Sequence, residues 1–146
     1  MLGANGFQIN GEAAFDYAAL RWKSGLGDVN GDGLADLLIG AYRASPHGSA
    51  SGAAYVVFGK PSLGASGVLP LSALNGANGF KLNGAFASDR AGIAVSGLGD
   101  VNGDGLRDLM VGAFGGDPNG ANSGTSYVVF GKKTPPPDLI FQDSFE

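Results

Sequence analysis

The stretch GDVNGDGLADLLIGA, residues 27–41, crowds three carboxylates, Asp28, Asp32 and Asp36, in front of an apolar run. Charge is sparse elsewhere: Asp, Glu, Lys and Arg make up 15% of the 146 residues. Like charges held this close repel one another and raise each other's pKa, so the spacing needs a physical reason. The string returns almost unchanged as GDVNGDGLRDLMVGA at 99–113, an offset of 72. YVVFGK at 55–60 returns at 127–132 with the same offset, and GANGFQING at 3–11 returns as GANGFKLNG at 76–84, offset by 73. Three co-linear matches make the chain a duplication. We divide it into a first unit at 3–75, a second at 76–132, and a tail at 133–146.

Each unit reads as short strands. LADLLIGA and LRDLMVGA are brief apolar runs bounded by Gly, and AAYVVFG and TSYVVFG are rich in β-branched and aromatic residues. GFQIN and GFKLN alternate apolar and polar residues, as a half-buried or edge strand does. AALRW (18–22) and AGIAVSG (91–97) supply a fourth strand to each unit. Glycine accounts for 27 residues, well above the usual ~7%, and every Asn except Asn122 precedes a Gly, a strong turn signal. No segment carries a long helical apolar stripe. The expected fold is all-β, built of two four-stranded blades of the β-propeller type, with a plain β-sandwich as the alternative.

Numbered from Asp28, oxygen-bearing side chains occupy loop positions 1, 3, 5 and 9: Asp28, Asn30, Asp32 and Asp36. Gly33 holds position 6, and Leu34 offers its backbone carbonyl at 7. The second copy gives Asp100, Asn102, Asp104, Gly105, Leu106 and Asp108. Hard oxygens at this spacing around a Gly are the chemistry of a Ca²⁺ loop, so two Ca²⁺ sites are expected. No His or Cys stands at ligand spacing, which argues against Zn²⁺, and the number of ready protein oxygens disfavours Mg²⁺. The loop is not an EF-hand: Ile39 and Val111 stand where that motif needs a bidentate Glu, and the flanking segments read as strands. The missing ligand suggests weak binding, on the order of 10⁻⁴–10⁻³ M. The alternative is a solvated turn without metal.

The order F-x-x-x-G, D-x-N-x-D-G-x-x-D-L-x-x-G-A and Y-V-V-F-G resembles the FG-GAP repeat of integrin α-subunit propellers and of many bacterial surface proteins. The name-giving pieces are Phe58-Gly59 and Phe130-Gly131, with Gly40-Ala41 and Gly112-Ala113. The family's usual Pro is replaced by Tyr42 and Phe114. The resemblance covers both units. It implies propeller blades with Ca²⁺ in hairpin loops, and extracellular work in adhesion or ligand binding.

Two blades cannot close a ring, since propellers have roughly four to eight. The chain is therefore a fragment of a longer array, a ring-forming homo-oligomer by blade closure, or a small face-to-face sandwich. In such repeats the outer strand of a blade comes from the next unit, so GFKLN at 79–83 completes the first blade. GFQIN at 6–10 is then spare, and its expected place is beside the strand at 127–131, in the same chain or a neighbour's. Pro135-Pro136-Pro137 reads as a stiff spacer.

Other function classes are weakly supported. The net charge is −4 and the basic residues are scattered, so no nucleic-acid footprint is expected. No apolar run reaches the roughly 18 residues of a membrane span. Cysteine is absent, and the first residues lack the pattern of a signal peptide. His47 is the single histidine and sits in a Pro/Gly/Ser-rich loop, with no patterned nucleophilic set beside it. Tyr17 and Trp22 read as core residues that could alternatively stack on a sugar. The leading expectation is a non-catalytic, Ca²⁺-stabilised extracellular or cell-surface module with a protein or glycan ligand, presented by loops such as 43–52 and 115–124. The alternatives are an accessory domain of a secreted hydrolase and a purely structural repeat.

Overall fold

Each Asp loop leads into an inner strand of a sheet, and the two sheets stack on one another. The computed structural model describes residues 5–19, 23–133 and 139–140. Its strands are β1 (Gln8–Asn10), β2 (Lys23–Gly27), β3 (Asp36–Ala41), β4 (Ala53–Val57), β5 (Val68–Pro70), β6 (Gly79–Asn83), β7 (Ala94–Gly99), β8 (Asp108–Ala113), β9 (Thr125–Val129) and β10 (Leu139–Ile140). A 3₁₀ turn spans Leu71–Ala73. The fold is all-β.

Blade 1 is the antiparallel series β2-β3-β4-β6, with β10 added in parallel outside β6. Blade 2 is the antiparallel series β7-β8-β9. In both, a bulge interrupts the first hairpin just before the Asp loop, at Gly25/Gly27 and Gly97/Gly99, which bends the strand away so that the loop can fold over it. As expected, GFKLN is the outer strand of blade 1: Gly79 lies opposite Val57 and Asn83 opposite Ala53. Blade 2 has no fourth strand among the described residues.

Alternation along the strands decides the packing. Leu38, Ala54, Val56, Phe80 and Leu82 point from blade 1 onto Leu109, Val111, Ala113 and Val129 of blade 2, forming the main core. The opposite face of blade 1, with Ile39, Ala41, Tyr55 and Val57, is covered by Leu71 and by Ile9, Leu63, Leu69 and Leu74. Most of this cover comes from the 59–78 connection, whose Leu spacing the sequence reading leaves unassigned.

One expectation needs correction. GFQIN does not lie beside 127–131 in its own chain. Its β1 runs parallel to β5, with Gln8 opposite Val68 and Asn10 opposite Pro70, because Ile9 finds apolar cover against the Ile39–Tyr55 face. Of the opening strand expected at 18–22, only Ala18 and Ala19 are described, and they lie in a turn ahead of the strand at Lys23–Gly27. Leu20, Arg21 and Trp22 lie outside the described residues, as do Pro135, Pro136 and Pro137 of the spacer.

Candidate metal-binding loops

The two Asp loops have the same internal wiring. Asp28 accepts backbone hydrogen bonds from Gly31 (2.7 Å) and Asp32 (3.1 Å) on Oδ1, and from Gly33 (2.7 Å) on Oδ2. Asp100 accepts the matching bonds from Gly103, Asp104 and Gly105 at 2.7, 3.1 and 2.8 Å. Asn30 accepts from Asp32 N–H and donates its amide to Asp32 Oδ2; Asn102 and Asp104 repeat this. Asp32 Oδ1 takes the Leu34 N–H, and Asp104 Oδ1 the Leu106 N–H. Asp28, Asp32, Asp100 and Asp104 thus curl the chain around a nest of N–H groups. These bonds hold the Asp100 carboxyl below the usual carboxylate range, the largest cause being the Gly105 N–H, with Arg107 adding to the effect.

Asp36 and Asp108 do something different. Both are fully buried. Asp36 Oδ2 accepts the Val29 N–H and Oδ1 the Gly59 N–H, each at 2.8 Å. Asp108 accepts from Val101 (2.7 Å) and Gly131 (2.9 Å). Each carboxylate therefore fastens the mouth of its loop to the Gly of the Phe-Gly pair that ends the third strand. The contact explains that Gly: a Cβ on Gly59 would sit 2.2 Å from the Ala35 carbonyl oxygen. Burial pushes the Asp36 carboxyl above its usual range, the Gly59 and Val29 bonds pull it down, and the Asp32 and Asp28 charges push it up again. The sequence reading places all four side chains as equal ligands and does not find this fastening role. The signal for it is the repeated Phe-Gly, at the same distance from each Asp.

Each loop offers four oxygen-bearing side chains and a backbone carbonyl between its first and last Asp, the donor types that a hard divalent cation takes. In the arrangement described, the carboxylates face backbone N–H groups, and among the described residues no cluster of three His, Cys, Asp or Glu is poised to hold an ion. Coordination would use the remaining lone pairs of Asp28, Asn30, Asp32 and Asp36 with the Leu34 carbonyl, and their counterparts Asp100, Asn102, Asp104, Asp108 and Leu106. The bound ion would neutralise the clustered charge and pin the turn.

The first loop also joins the blades. Arg107 N–H donates to the Asp28 carbonyl and Lys132 N–H to the Val29 carbonyl, both at 3.0 Å. At the other end of the sheets, loop 43–52 is engaged in the same task. Ser88, Arg90, Ala91 and Gly84 donate backbone hydrogen bonds to the carbonyls of Ser49, Ala50, Ser51 and Gly52, at 2.8 to 3.0 Å. His47 Nδ1 pairs with the Gly84 carbonyl at 3.1 Å, so this histidine is a seam residue. The Tyr17 ring stacks on Tyr42 with a centroid separation of 6.3 Å and carries the Arg43 guanidinium 5.3 Å above it.

A duplicated antiparallel unit with an oxygen-rich hairpin loop, whose first copy is completed by a strand from the second, defines a repeat of the β-propeller class. The family model of the FG-GAP repeat matches residues 21–57 and 91–129, just over half of the chain. The chain belongs to the FG-GAP repeat family. It is similar to integrin alpha-PS2 of Drosophila melanogaster, with 34% identity over 91% of the chain and 9% of that protein. It is also similar to integrin alpha-6 of Gallus gallus, 32% identical over 73% of the chain and 10% of that protein. A third relative is phosphatidylinositol-glycan-specific phospholipase D of Bos taurus, 38% identical over 82% of the chain and 14% of the enzyme. The chain thus spans roughly a tenth of the length of these relatives.

Proposed function

We propose that this FG-GAP repeat domain is a non-catalytic, Ca²⁺-stabilised binding module that works outside the cell or at its surface. The carrying observation is that one oxygen-rich loop occurs twice with the same hydrogen bonds. A loop kept for a local catalytic task has no reason to repeat within the architecture, whereas a stabilising ion is needed wherever the turn recurs. The resemblance to integrin α-subunit propellers supports adhesion or ligand capture, with a protein or glycan as the ligand class. Loop 115–124, exposed from Asp117 to Ser123, is the better candidate for contact, since much of 43–52 is used to join the blades.

The similarity to a phospholipase D favours a second reading, an accessory repeat domain in a secreted hydrolase. A thermal melt tests what the two readings share. The chain should melt higher in millimolar Ca²⁺, by mass action on the folded state, and the Asp32→Ala/Asp104→Ala variant should not respond. Equal melts for the native chain with and without Ca²⁺ would remove the ion from both readings. A glycan and matrix-protein binding screen run in Ca²⁺ then separates a binding module from an accessory one.

A further inference from the structure

Blade 1 receives its neighbour through a strand and a loop, and blade 2 presents the same receiving surface with nothing on it among the described residues. In blade 1, β6 lies along β4, and the adjoining segment 84–91 bonds to the carbonyls of 49–52. The corresponding loop of blade 2 is 121–124, and it is built alike. Ala50 and Asn122 both take left-handed backbone angles, φ 51° and 55°. Gly52 and Gly124 donate to Ala44 and Gly116, each at 2.8 Å, and Ser51 and Ser123 Oγ accept from His47 and Asn119 N–H, each at 3.2 Å. Yet Ser51 is wholly buried and Ser123 is exposed. An open cleft of about 420 Å³ is lined by Ala113, Gly124 and Thr125. Those residues correspond to Ala41, Gly52 and Ala53, against which Ala91 and Gly92 sit in blade 1.

The chain also carries a second copy of the segment that fills this surface. Residues 6–19, GFQINGEAAFDYAA, correspond to 79–92, GFKLNGAFASDRAG. Their backbone is already shaped for the role. Phe15 and Tyr17 have φ 65° and 53°, matching 69° and 56° at Ser88 and Arg90. Such angles cost energy in non-glycine residues and persist only when the surroundings over-determine them. Here Phe15 is 78% exposed.

We propose that the open edge and cleft of blade 2 bind residues 6–19 of a second copy of this chain. Gly6–Asn10 would extend the sheet antiparallel to β9, with Asn10 opposite Thr125 as Asn83 is opposite Ala53. Gly11–Ala18 would occupy the cleft and bond to the carbonyls of 121–124. The exchange gives up the three-residue parallel pair of β1 with β5, the Ile9 cover, the Glu12 contacts to Tyr55 and Lys81 and the Tyr17–Tyr42 stack, and gains a five-residue antiparallel ladder, the more stable pairing per residue, together with the backbone bonds in the cleft. It also removes an exposed sheet edge. Because arm and cleft lie on different surfaces, the contact is head-to-tail and builds chains or closed rings.

Single-cysteine variants test this in a chain that has no cysteine of its own. Asn10→Cys and Thr125→Cys proteins, mixed and oxidised, should yield a mixed disulfide well above the homodisulfide background of either alone. The native chain, measured by light scattering, should rise with concentration from 14.6 kDa toward whole multiples of it. A second variant, Gln8→Cys/Val68→Cys, should lock β1 onto β5 when oxidised and hold the protein at one chain's mass, with reduction restoring assembly. A native chain that stays monomeric at all concentrations overturns the proposal. So does an oligomer whose only disulfide joins Thr125→Cys to itself, which would place two β9 edges together. So does assembly unaffected by the lock.

Discussion

Blade 1 and blade 2 share a sequence pattern and the same hydrogen bonding in their Asp loops, yet equivalent residues have opposite surroundings. Val56 and Phe58 are buried, while their counterparts Val128 and Phe130 are 41% and 50% exposed. Every position of β4 is buried, whereas only Val129 of β9 is. A blade of this kind therefore contributes one good face and one good edge, and the next unit completes its burial. In a repeat architecture, stability lies in the interfaces between units as much as in the units.

The sharpest break in the comparison comes from a buried charge. Val56→Asp should unfold the protein at neutral pH, because an unpaired carboxylate in a closed core costs several kcal/mol or more. Val128→Asp should shift the urea midpoint of the monomer little, within about 0.5 kcal/mol, as at other exposed sites. Equal losses would mean that β9 is covered in the single chain.

Asp36→Ala comes next. It leaves the Val29 and Gly59 N–H groups without acceptors, and each orphaned buried donor costs about 1–3 kcal/mol, so about 2–6 kcal/mol should be lost in a denaturant titration. Asp108→Ala should behave alike, since its carboxylate makes the same pair of bonds. A negligible loss at either would deny the fastening role.

The blade seam gives a smaller contrast. A Cβ on Gly84 would sit 1.9 Å from the Ser51 carbonyl, while its counterpart Gly11 meets only the Ala18 methyl at 3.1 Å. Gly84→Ala should therefore lower the melting temperature clearly, by about 4–8 °C per kcal/mol or less in a chain of this size. Gly11→Ala should change it much less.

The smallest effect is pH-dependent. Glu12 accepts from Tyr55 Oη at 2.7 Å and pairs with Lys81. Burial pushes its carboxyl up, but these two partners outweigh it and leave the pKa below the usual carboxylate value. The contribution is therefore present above the unfolded-state pKa and fades as pH falls through the lowered one. Comparing the native chain with Glu12→Gln, the gap in stability should be widest near neutral pH and close under strong acid. A gap that is constant with pH would assign the loss to packing alone.

Much of the fold is legible in the sequence because the chain states it twice. The repeat locates the strands in the second half of each unit, the outer-strand exchange at 79–83 and the two Asp loops, since carboxylates and glycines at fixed spacing need no partner from elsewhere to be recognised. The features that escape the sequence depend on distant contacts. Asp36 reads as one more loop oxygen until Gly59 is seen above it. Leu63, Leu69, Leu71 and Leu74 have no repeat partner, so their role as cover for blade 1 emerges only once the Ile39–Tyr55 face lacks a neighbour. The partner of β1 is missed for the same reason: its pattern marks an edge strand without saying whose edge.

The loops should be equal even though the blades are not, and calorimetric titration with Ca²⁺ puts that equality to the test. Two weak sites of similar affinity are expected per chain, falling to one in Asp32→Ala or Asp104→Ala and to none in the double variant. A native chain that takes up no Ca²⁺ at millimolar concentration, or a double variant that still binds two ions, would contradict the assignment of these loops as paired ion sites.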